Sequence, residues 1–415
     1  MYKKSKYNYI VEDEKLNNVY IYNLLTRSFL CIEKSLWIDI NNNNYEKIDF
    51  DSIQTMLEEG IILYNNVNEQ YVLKDKIESR MVTNENAAMF LSMTSGCNFK
   101  CPYCYQDYRT NINDNLFITE EKIDIIYSYI RELRLSNLAI AYFGGEPTLN
   151  MDVLMYALNK FRNLESNMNV SHTIITNGYM LTDEILCLYK KIENLIIQFT
   201  IDGNENSHNK TRIHKEFGNT FDKIYLNLCK LAHEIPNHVA VRINVANTDF
   251  VEYYQLIDRM KKDGLAGKIS VAFELVFDGQ ISKHTSCSDK SSILQLYEYA
   301  TTQGFASNLS VEYGPCLAHA KYGFAIDEEL NLYNCPGEIY GKKVGFISDA
   351  GILNIIDNEW YESRYVRKKC MKDCFYAPIC FGGCKMNKKC RKETFITLLP
   401  KMVQKMIKEY EGGFK

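Results

Sequence analysis

The sequence lacks a long apolar run, an excess of charge of one sign and an export signal. Its longest uninterrupted apolar run extends only from Leu138 to Phe143, far short of the roughly 18 residues that a membrane span requires. The 48 Lys and Arg nearly balance the 52 Asp and Glu, and the net charge of −4 argues against a protein that coats nucleic acid or an anionic membrane, because both need a positive field. The basic N-terminal sequence MYKKSKYNYI has no apolar segment of the kind that a signal peptide carries. We therefore expect a cytoplasmic protein without membrane or nucleic-acid partners.

Cysteine, by contrast, is plentiful, with 14 residues in the chain. Without an export signal these thiols are not expected to form disulfides, because the cytosol keeps thiols reduced. Most of them are concentrated in short segments rather than spread along the chain, which predicts the ligation of a metal ion or an iron–sulfur cluster. The two densest groups are Cys97, Cys101 and Cys104, and Cys370, Cys374, Cys380, Cys384 and Cys390.

The patterns of apolar residues, cysteines and charges divide the chain into four regions. Residues 1–85 begin with three short strand-like runs, KYNYIVE, NVYIYNL and RSFLCIE, and continue with a helical stretch that ends before Gly60. Residues 306–391 consist of short segments around cysteines, with too little apolar pattern for an ordinary core, so that ligated metal is expected to hold them. Residues 392–415 are basic, and their apolar spacing predicts a terminal helix that packs on the protein.

The region from 86 to 305 alternates between apolar strand-like runs and helix-length patterns. Six strand–helix units in succession predict an α/β fold, with a parallel sheet covered by helices, either as an open doubly wound sheet or as a partial barrel. In both architectures functional residues gather at the C-terminal ends of the strands. The six strand-like runs are AAMFLSM, LAIAYF, HTIIT, LIIQFTI, VAVRINV and KISVAFELVF.

The first cysteine group, Cys97-x3-Cys101-x2-Cys104, directly follows the first of these strands. Three thiolates satisfy three irons of a [4Fe–4S] cluster and leave the fourth iron free. A structural zinc site is the alternative, but it almost always has four protein ligands. No fourth Cys or His lies nearby in the sequence, since the next histidine is His172.

Polar and glycine-rich sequences follow the next three strands. A glycine pair at the end of a strand lets the backbone approach a ligand closely. Each of these short motifs alone would predict only a turn. Together, at consecutive strand ends and beside a loop with three cysteines, they predict a ligand site. The three sequences are Gly144-Gly145-Glu146-Pro147, Thr176-Asn177-Gly178 and Thr200-Ile201-Asp202-Gly203.

The sequences CNFKCPYC and GGEP resemble the cluster-binding and S-adenosylmethionine (SAM) motifs of the radical SAM superfamily, and the resemblance covers nearly all of residues 87–391. It implies a partial (β/α)6 barrel of the TIM type. It also implies that a [4Fe–4S] cluster is held by the first cysteine group and that the methionine moiety of SAM chelates the fourth iron. The positions that match the family's SAM contacts are Tyr103 against the adenine, Gly144, Gly145 and Glu146 toward the methionine amino group, Asn177 and Thr200 toward the rest of SAM, and Arg212 as a carboxylate partner.

The same resemblance implies the chemistry. A reduced cluster passes one electron to SAM and generates a 5′-deoxyadenosyl radical, which removes a hydrogen atom from an unactivated carbon. The electron would come from a flavodoxin- or ferredoxin-type donor. His208, which lies between the fourth strand end and Arg212, is expected to be structural.

The seven cysteines beyond residue 310 resemble the SPASM extension of this superfamily, which carries two auxiliary [4Fe–4S] clusters, so that three clusters are expected in all. A zinc ribbon is the alternative. Two departures from the extension are Leu330 in place of a usual glycine and Tyr322 in place of a cysteine seen in relatives. One iron of the second auxiliary cluster would be open unless His284, Cys287 or His319 fills it. The implied ligands are Cys370, Cys374, Cys380 and Cys390 for one cluster, and Cys316, Cys335 and Cys384 for the other.

Two branches of SPASM enzymes, which act on different peptide or protein substrates, are compatible with the resemblance. Anaerobic sulfatase maturases form formylglycine and place an Asp directly after the second SPASM cysteine, where this chain has Pro336. Maturases of ribosomally made peptides often carry a small winged-helix-like α+β domain that binds the precursor's leader as an added strand, and residues 1–85 are compatible with that shape. We therefore expect a peptide maturase that forms a thioether or another side-chain cross-link. A zinc or iron–sulfur protein for binding or electron transfer, without SAM chemistry, is the alternative from another class.

Overall fold

A computed structural model of the chain describes residues 1–81, 85–106, 116–180, 192, 194–246, 249–276, 290–307, 316–359, 368–384 and 390–412. The chain forms two compact units. The terminal unit consists of Met1–Met81, Ser310–Pro315 and Tyr365–Lys415, and the central unit consists of Val82–Leu309 and Cys316–Arg364. Within the described residues, no helix is both long and apolar enough to cross a membrane.

The N-terminal part of the terminal unit is a small α+β structure. Strands β2, β3 and β4 form an antiparallel sheet and correspond to the three predicted strand-like runs, while β1 pairs with β5. Apolar residues on one face of β3 pack against α1 and α2. The Asp49 side chain accepts a hydrogen bond from the Ser52 amide at the start of α2, and Gly60 in the left-handed region follows its end. The elements are β1 (Tyr2–Lys4), β2 (Asn8–Asp13), β3 (Asn18–Asn23), β4 (Phe29–Glu33), α1 (Lys34–Asn41), α2 (Phe50–Glu58), β5 (Ile62–Tyr64) and α3 (Glu69–Met81).

The central unit contains the six predicted strands, which lie side by side in chain order and are all parallel. Each of these six strands is added next to the one before it, which is the winding expected of a partial barrel. The elements are β6 (Asn86–Thr94), α4 (Glu120–Glu132), β7 (Asn137–Gly144), α5 (Met151–Arg162), β8 (Asn169–Thr176), β9 (Leu195–Ile201), α6 (Glu205–Thr211), α7 (Phe221–Glu234), β10 (Val239–Val245), α8 (Val251–Lys262), β11 (Ile269–Leu275), α9 (Leu294–Thr302) and β12 (Ala306–Ser307).

Alternation along β10 shows how the two faces of this sheet differ. Val241 and Ile243 are buried in the core that also contains side chains of α7 and α8. Arg242 and Asn244 occupy the alternate positions and therefore lie on the opposite face. The Arg242 Nε donates a hydrogen bond to Asn244 Oδ1 at 3.2 Å. The face turned away from the helices thus carries charge and hydrogen-bonding groups, as expected of a surface that binds a ligand.

Four further strands extend the sheet beyond β6. The first of them, β13, pairs in parallel with β6, and the rest follow antiparallel. In the turn between β13 and β14, Asp327 accepts hydrogen bonds from Asn331 and Tyr333. Leu330 has a φ of +62°, so it adopts the left-handed conformation that the glycine expected at this position would adopt without strain. These strands are β13 (Tyr322–Ile326), β14 (Asn331–Tyr333), β15 (Gly345–Ile347) and β16 (Leu353–Ile355).

The C-terminal part of the terminal unit packs on its N-terminal part. The Arg27 guanidinium donates to the Pro378 carbonyl at 2.9 Å, and the Gln70 side-chain amide donates to the Lys372 carbonyl at 3.0 Å. The cysteine-bearing residues 368–384 therefore form one body with the N-terminal structure, although the sequence analysis placed the two in separate domains. The helices are α10 (Lys368–Asp373), α11 (Ala377–Cys380) and α12 (Lys392–Gly412), the last in agreement with the predicted terminal helix.

Candidate functional site

The first cysteine group lies in the loop that leaves the C-terminal end of β6. Burial, the Glu146 carboxylate and the neighbouring thiols of Cys101 and Cys104 raise the pKa of Cys97 to about 12. The three thiols are therefore close enough to interact electrostatically, and none of them is in a disulfide. Three thiols on one loop are the donor set that a [4Fe–4S] cluster with one open iron requires.

The glycine pair at the end of β7 packs directly against the backbone that leads into this loop. The Gly145 amide donates to the Thr94 carbonyl at 2.8 Å, and the Glu146 amide donates to the Gly96 carbonyl at 2.9 Å. A Cβ on Gly145 would lie 2.1 Å from the Gly96 carbonyl oxygen, which no side chain tolerates. These glycines therefore make room for the chain's own backbone one residue before Cys97, a role that the sequence analysis did not predict.

Glu146 joins the ends of β7 and β8 through both of its carboxylate oxygens. One oxygen accepts hydrogen bonds from the Thr148 and Thr176 hydroxyls at 2.6 Å, and the other accepts from the Asn177 amide at 2.7 Å. The residue is only 1% exposed, and burial raises its pKa although these hydrogen bonds oppose the rise. The carboxylate thus fixes the relative positions of two strand ends. The contact of Glu146 with the SAM amino group, which the family resemblance implies, stays a prediction.

We expect Glu146→Gln to lower the free energy of unfolding by about 2 kcal/mol, because the new amide NH2 faces donors and leaves at least one of them unpaired in the interior. Denaturant unfolding of the protein without cofactors measures the change. The exposed Glu58, at the end of α2, provides the matched Glu→Gln control and should change the free energy by less than about 0.5 kcal/mol. Equal effects of the two substitutions would refute the role of the Glu146 carboxylate in joining the strands.

Tyr103, predicted to lie against the adenine of SAM, is held by its hydroxyl at the end of β9. The hydroxyl donates to the Asp202 carboxylate and accepts from Arg212 at 3.2 Å and from Asn244 at 3.2 Å. Burial raises the pKa of Tyr103 far above its ordinary value, so the phenol stays protonated and neutral. Asp202, which belongs to the predicted strand-end site, and Asn244, which no motif indicated, both fix this ring.

The remaining predicted SAM contacts also lie at the strand ends. The Asn177 side chain donates to Asn98 Oδ1 at 2.8 Å, in the loop that carries the three cysteines. Thr200 is buried beside Arg242 in the register of β9 and β10. His208 is completely buried, and burial followed by the charge of Arg212 lowers its pKa well below the ordinary value, which agrees with the expected structural role. The structure therefore brings the predicted SAM residues together around the cysteine loop.

The first predicted auxiliary set lies together in the terminal unit. Burial, then the thiols of Cys374, Cys370 and Cys390, raise the pKa of Cys380 to about 12, so all four thiols share one neighbourhood. Four cysteines are the number of ligands that a closed [4Fe–4S] cluster requires, and the assignment of Cys370, Cys374, Cys380 and Cys390 to such a cluster stays a prediction. Within the residues that the structure describes, no group of three or more His, Cys, Asp or Glu has the arrangement for a single metal ion.

The second predicted auxiliary set is drawn from both units, with Cys316 and Cys335 in the central unit and Cys384 in the terminal unit. The Cys316 thiol lies 3.1 Å from Nδ1 of His319, one of the residues proposed to fill an open iron position. The other two, His284 and Cys287, lie outside the described residues. Tyr105 lies near both Cys104 and Cys335. Removal of its hydroxyl from water, followed by the charges of these two thiols, raises the pKa of Tyr105 to about 12.

A buried acid near the cysteine loop was not found by the sequence analysis. The Glu328 carboxylate, in the turn between β13 and β14, accepts hydrogen bonds from the Ser92 hydroxyl at 2.6 Å and the Tyr340 hydroxyl at 2.8 Å. In the sequence Glu328 stands between Asp327 and Glu329, and three consecutive acids at a turn indicate solvent exposure rather than burial. No sequence signal connects it to Ser92, which is far away along the chain.

Comparison with known proteins identifies the class of the central unit. Residues 91–269 match the sequence model of the Radical SAM superfamily, so this part of the chain is a radical SAM domain. The chain is 25% identical over 317 residues to the radical SAM cyclopropyl synthase TigE of Paramaledivibacter caminithermalis, a match that covers 72% of this chain and 61% of that protein. It is 22% identical over 330 residues to the cysteine-type anaerobic sulfatase-maturating enzyme of Clostridium novyi, covering 71% and 86%, respectively.

Solved structures share the fold. The structure of anSMEcpe with bound AdoMet and the Cp18Cys peptide superposes with a TM-score of 0.59 and 16% identity over 77% of this chain and 98% of that one. The structure of Streptococcus suis SuiB bound to the precursor peptide SuiA superposes with a TM-score of 0.53 and 16% identity over 93% of this chain and 96% of that one. Residues 91–269 are thus a radical SAM domain, and the chain shares its fold with these two structures.

Proposed function

We propose that the chain is a radical SAM peptide maturase of the cytoplasm, which removes a hydrogen atom from a ribosomally made precursor peptide and forms a cross-link, in the first place a thioether to a peptide cysteine. The observation that carries the proposal is the convergence of Cys97, Cys101 and Cys104 beside the Gly144-Gly145-Glu146 strand end. The similarity to TigE and to a sulfatase-maturating enzyme supports it.

The three thiols would hold a [4Fe–4S] cluster, and the cluster with SAM bound supplies a carbon-centred radical that can abstract hydrogen. The chain's own residues position the reactants. Glu146 holds the strand ends in place, and the Asp202 and Arg212 side chains fix the Tyr103 ring that is proposed to contact the adenine. The polar side chains of Asn177 and Thr200 are proposed to bind the rest of SAM.

Two auxiliary clusters on the later cysteines complete the proposal. With three [4Fe–4S] clusters, protein reconstituted without oxygen should contain about 12 irons per chain. Replacing Cys370, Cys374, Cys380 and Cys390 by Ala should reduce the content to about eight, because this set would hold one whole cluster. Metal analysis by plasma mass spectrometry measures both values. A content of about four irons together with bound zinc would contradict the auxiliary clusters and favour the zinc alternative.

The N-terminal part of the terminal unit is proposed to bind the leader of the precursor. Its three-stranded sheet has β2 and β4 at its edges, and in the described residues each of them pairs only with β3. A leader peptide could add as a fourth strand at either edge. The likeness to SuiB, which covers more of this chain than the likeness to anSMEcpe, supports a shared fold in this region.

Amide hydrogen exchange tests the leader site without any mutation. Binding of the leader peptide should slow exchange along Asn8–Asp13 or Phe29–Glu33, because newly paired amides are protected. The central strand Asn18–Asn23 serves as the internal control, since it is already paired on both sides. Unchanged exchange at both edges under saturating leader would refute the recognition role.

The activity itself is tested with reconstituted protein, SAM and a reductant, dithionite or a flavodoxin- or ferredoxin-type donor. A Cys-bearing peptide encoded beside the gene is the first substrate to try. We expect 5′-deoxyadenosine and a peptide that has lost two hydrogens. Formylglycine formation on a sulfatase peptide would instead support the second candidate function, which the Clostridium novyi relative favours and Pro336 opposes.

A further inference from the structure

The buried acid Glu328 belongs to the end of the sheet that carries the cysteine loop. It follows β13, and the pairing of β13 with β6 brings its carboxylate to Ser92, which precedes Cys97 on the same strand and loop. The Ser92 hydroxyl is also among the nearest atoms to Gly144, since a Cβ built there would lie 2.9 Å from it. Glu328 is therefore next to the strand end that bears the glycine pair.

The surroundings of the Glu328 carboxyl raise its pKa toward neutral pH, so that the group can gain and lose a proton there. Glu328 is 0% exposed, and its described side-chain partners are two hydroxyl groups rather than a cation. Burial raises its pKa to about 7, and the Asp327 carboxylate adds to the rise while the Ser92 and Tyr340 hydroxyls oppose it. Tyr333 is the other titratable group coupled to it. An acid with such a pKa is suited to accept a proton at cellular pH.

Tyr340 connects this acid with the concave face of the sheet. Its side chain packs against a buried cluster that contains Phe143, and Phe143 alternates along β7 with Tyr142, which belongs to the core under the helices. The hydroxyl donates to the Glu328 carboxylate at 2.8 Å, while the side chain as a whole is only partly buried. Tyr340 also has a φ of +61°, a backbone conformation that residues other than glycine rarely adopt and that is concentrated at functional sites.

We propose that Tyr340 and Glu328 form a proton relay that deprotonates the peptide nucleophile, a cysteine thiol, during cross-link formation. The relay rests on the proposed function. The Tyr340 oxygen accepts the thiol proton while its own proton passes to Glu328 Oε1.

The reaction balances with this step. A C–H bond and an S–H bond break, and one C–S bond forms. The hydrogen atom from carbon would go to the radical that bound SAM supplies, and the one remaining electron would go to an oxidised iron–sulfur cluster. The thiol proton passes to Tyr340, which gives its own proton to Glu328. Glu328 later returns its proton to solvent.

The protonation of Glu328 can be measured in the protein without cofactors. Infrared difference spectra between wild type and Glu328→Gln should show a protonated carboxyl band that disappears with a midpoint near pH 7, in place of the ordinary value near 4.5. Because the folded pKa is raised, the stabilising contribution of the protonated group is present in acid and lost as pH rises from about 4.5 through about 7. Glu328→Gln should abolish that part of the pH dependence of unfolding. A midpoint near 4.5 would overturn the proposal.

The relay is tested in the reaction by the coupling of the two products. In Glu328→Gln and Tyr340→Phe, the ratio of cross-linked peptide to 5′-deoxyadenosine should fall at least about 100-fold with the Cys-bearing peptide, the usual range for loss of a general base. The exposed neighbour Glu329, paired with Lys122, provides the control substitution Glu329→Gln. An unchanged ratio in both relay variants would overturn the relay. Failure of wild type to form any 5′-deoxyadenosine would instead refute the proposed function, and the infrared midpoint then decides on Glu328 alone.

Discussion

Replacement of Cys97, Cys101 and Cys104 together by Ala should abolish the cleavage of SAM. The three thiols are the donor set of the proposed SAM-binding cluster, and in the described structure they interact with one another at the end of β6. Without them no iron remains to bind the methionine moiety or to pass an electron to SAM. We expect no 5′-deoxyadenosine above background by liquid chromatography, and a loss of about four irons per chain.

The control is Cys229→Ala, because Cys229 lies on α7, is partly buried and belongs to none of the cysteine sets. This variant should retain its iron and its SAM cleavage. Continued formation of 5′-deoxyadenosine by the triple variant would contradict the assignment of the cluster to the loop after β6.

Gly145→Ala should lower SAM cleavage at least about 100-fold although it leaves all proposed ligands in place, because a misplacement of about 1 Å has effects of this size. The added Cβ would lie 2.1 Å from the Gly96 carbonyl oxygen and 2.8 Å from that of Ser95. Both obstacles are backbone atoms of the segment that leads into Cys97, so the cysteine loop has to move. We expect reduced iron content and weaker SAM binding together with the loss of activity.

Gly412→Ala is the matched control, since Gly412 lies at the end of α12 and a Cβ there would meet no atom within 4 Å. Its iron content and activity should equal those of wild type. Circular dichroism distinguishes a local effect of Gly145→Ala from global unfolding. A folded Gly145→Ala variant with full iron and full activity would refute the proposed coupling between the glycine pair and the cysteine loop.

The sequence alone predicted the six parallel strands, because apolar runs of strand length recur between helix patterns and each buried strand needs an apolar face. It also predicted where the site lies, since cysteines and glycines stand out at strand ends. The direct contact of Gly145 with Gly96 could not be predicted, because the sequence does not say whether a glycine makes room for a ligand or for the chain itself. In the structure, Gly145 makes room for the backbone of Gly96.

Other features depend on contacts between distant parts of the chain. Glu328 meets Ser92 only because β13 pairs with β6, and its place in an acidic turn concealed its burial. The union of the N-terminal structure with residues 368–384 was likewise not predicted, since the contact between Arg27 and Pro378 joins a side chain to a backbone carbonyl and leaves no trace in composition.

Transfer of deuterium from peptide to cofactor tests the central claim, hydrogen abstraction from a peptide by a SAM-derived radical, most directly. A Cys-bearing precursor peptide with deuterium at the carbon that becomes cross-linked is incubated with reconstituted protein, SAM and reductant. The 5′-deoxyadenosine is then analysed by mass spectrometry. The account predicts 5′-deoxyadenosine that carries one deuterium from the peptide, together with a peptide that has lost it. Modified peptide with 5′-deoxyadenosine free of deuterium, at every labelled position tried, would contradict it.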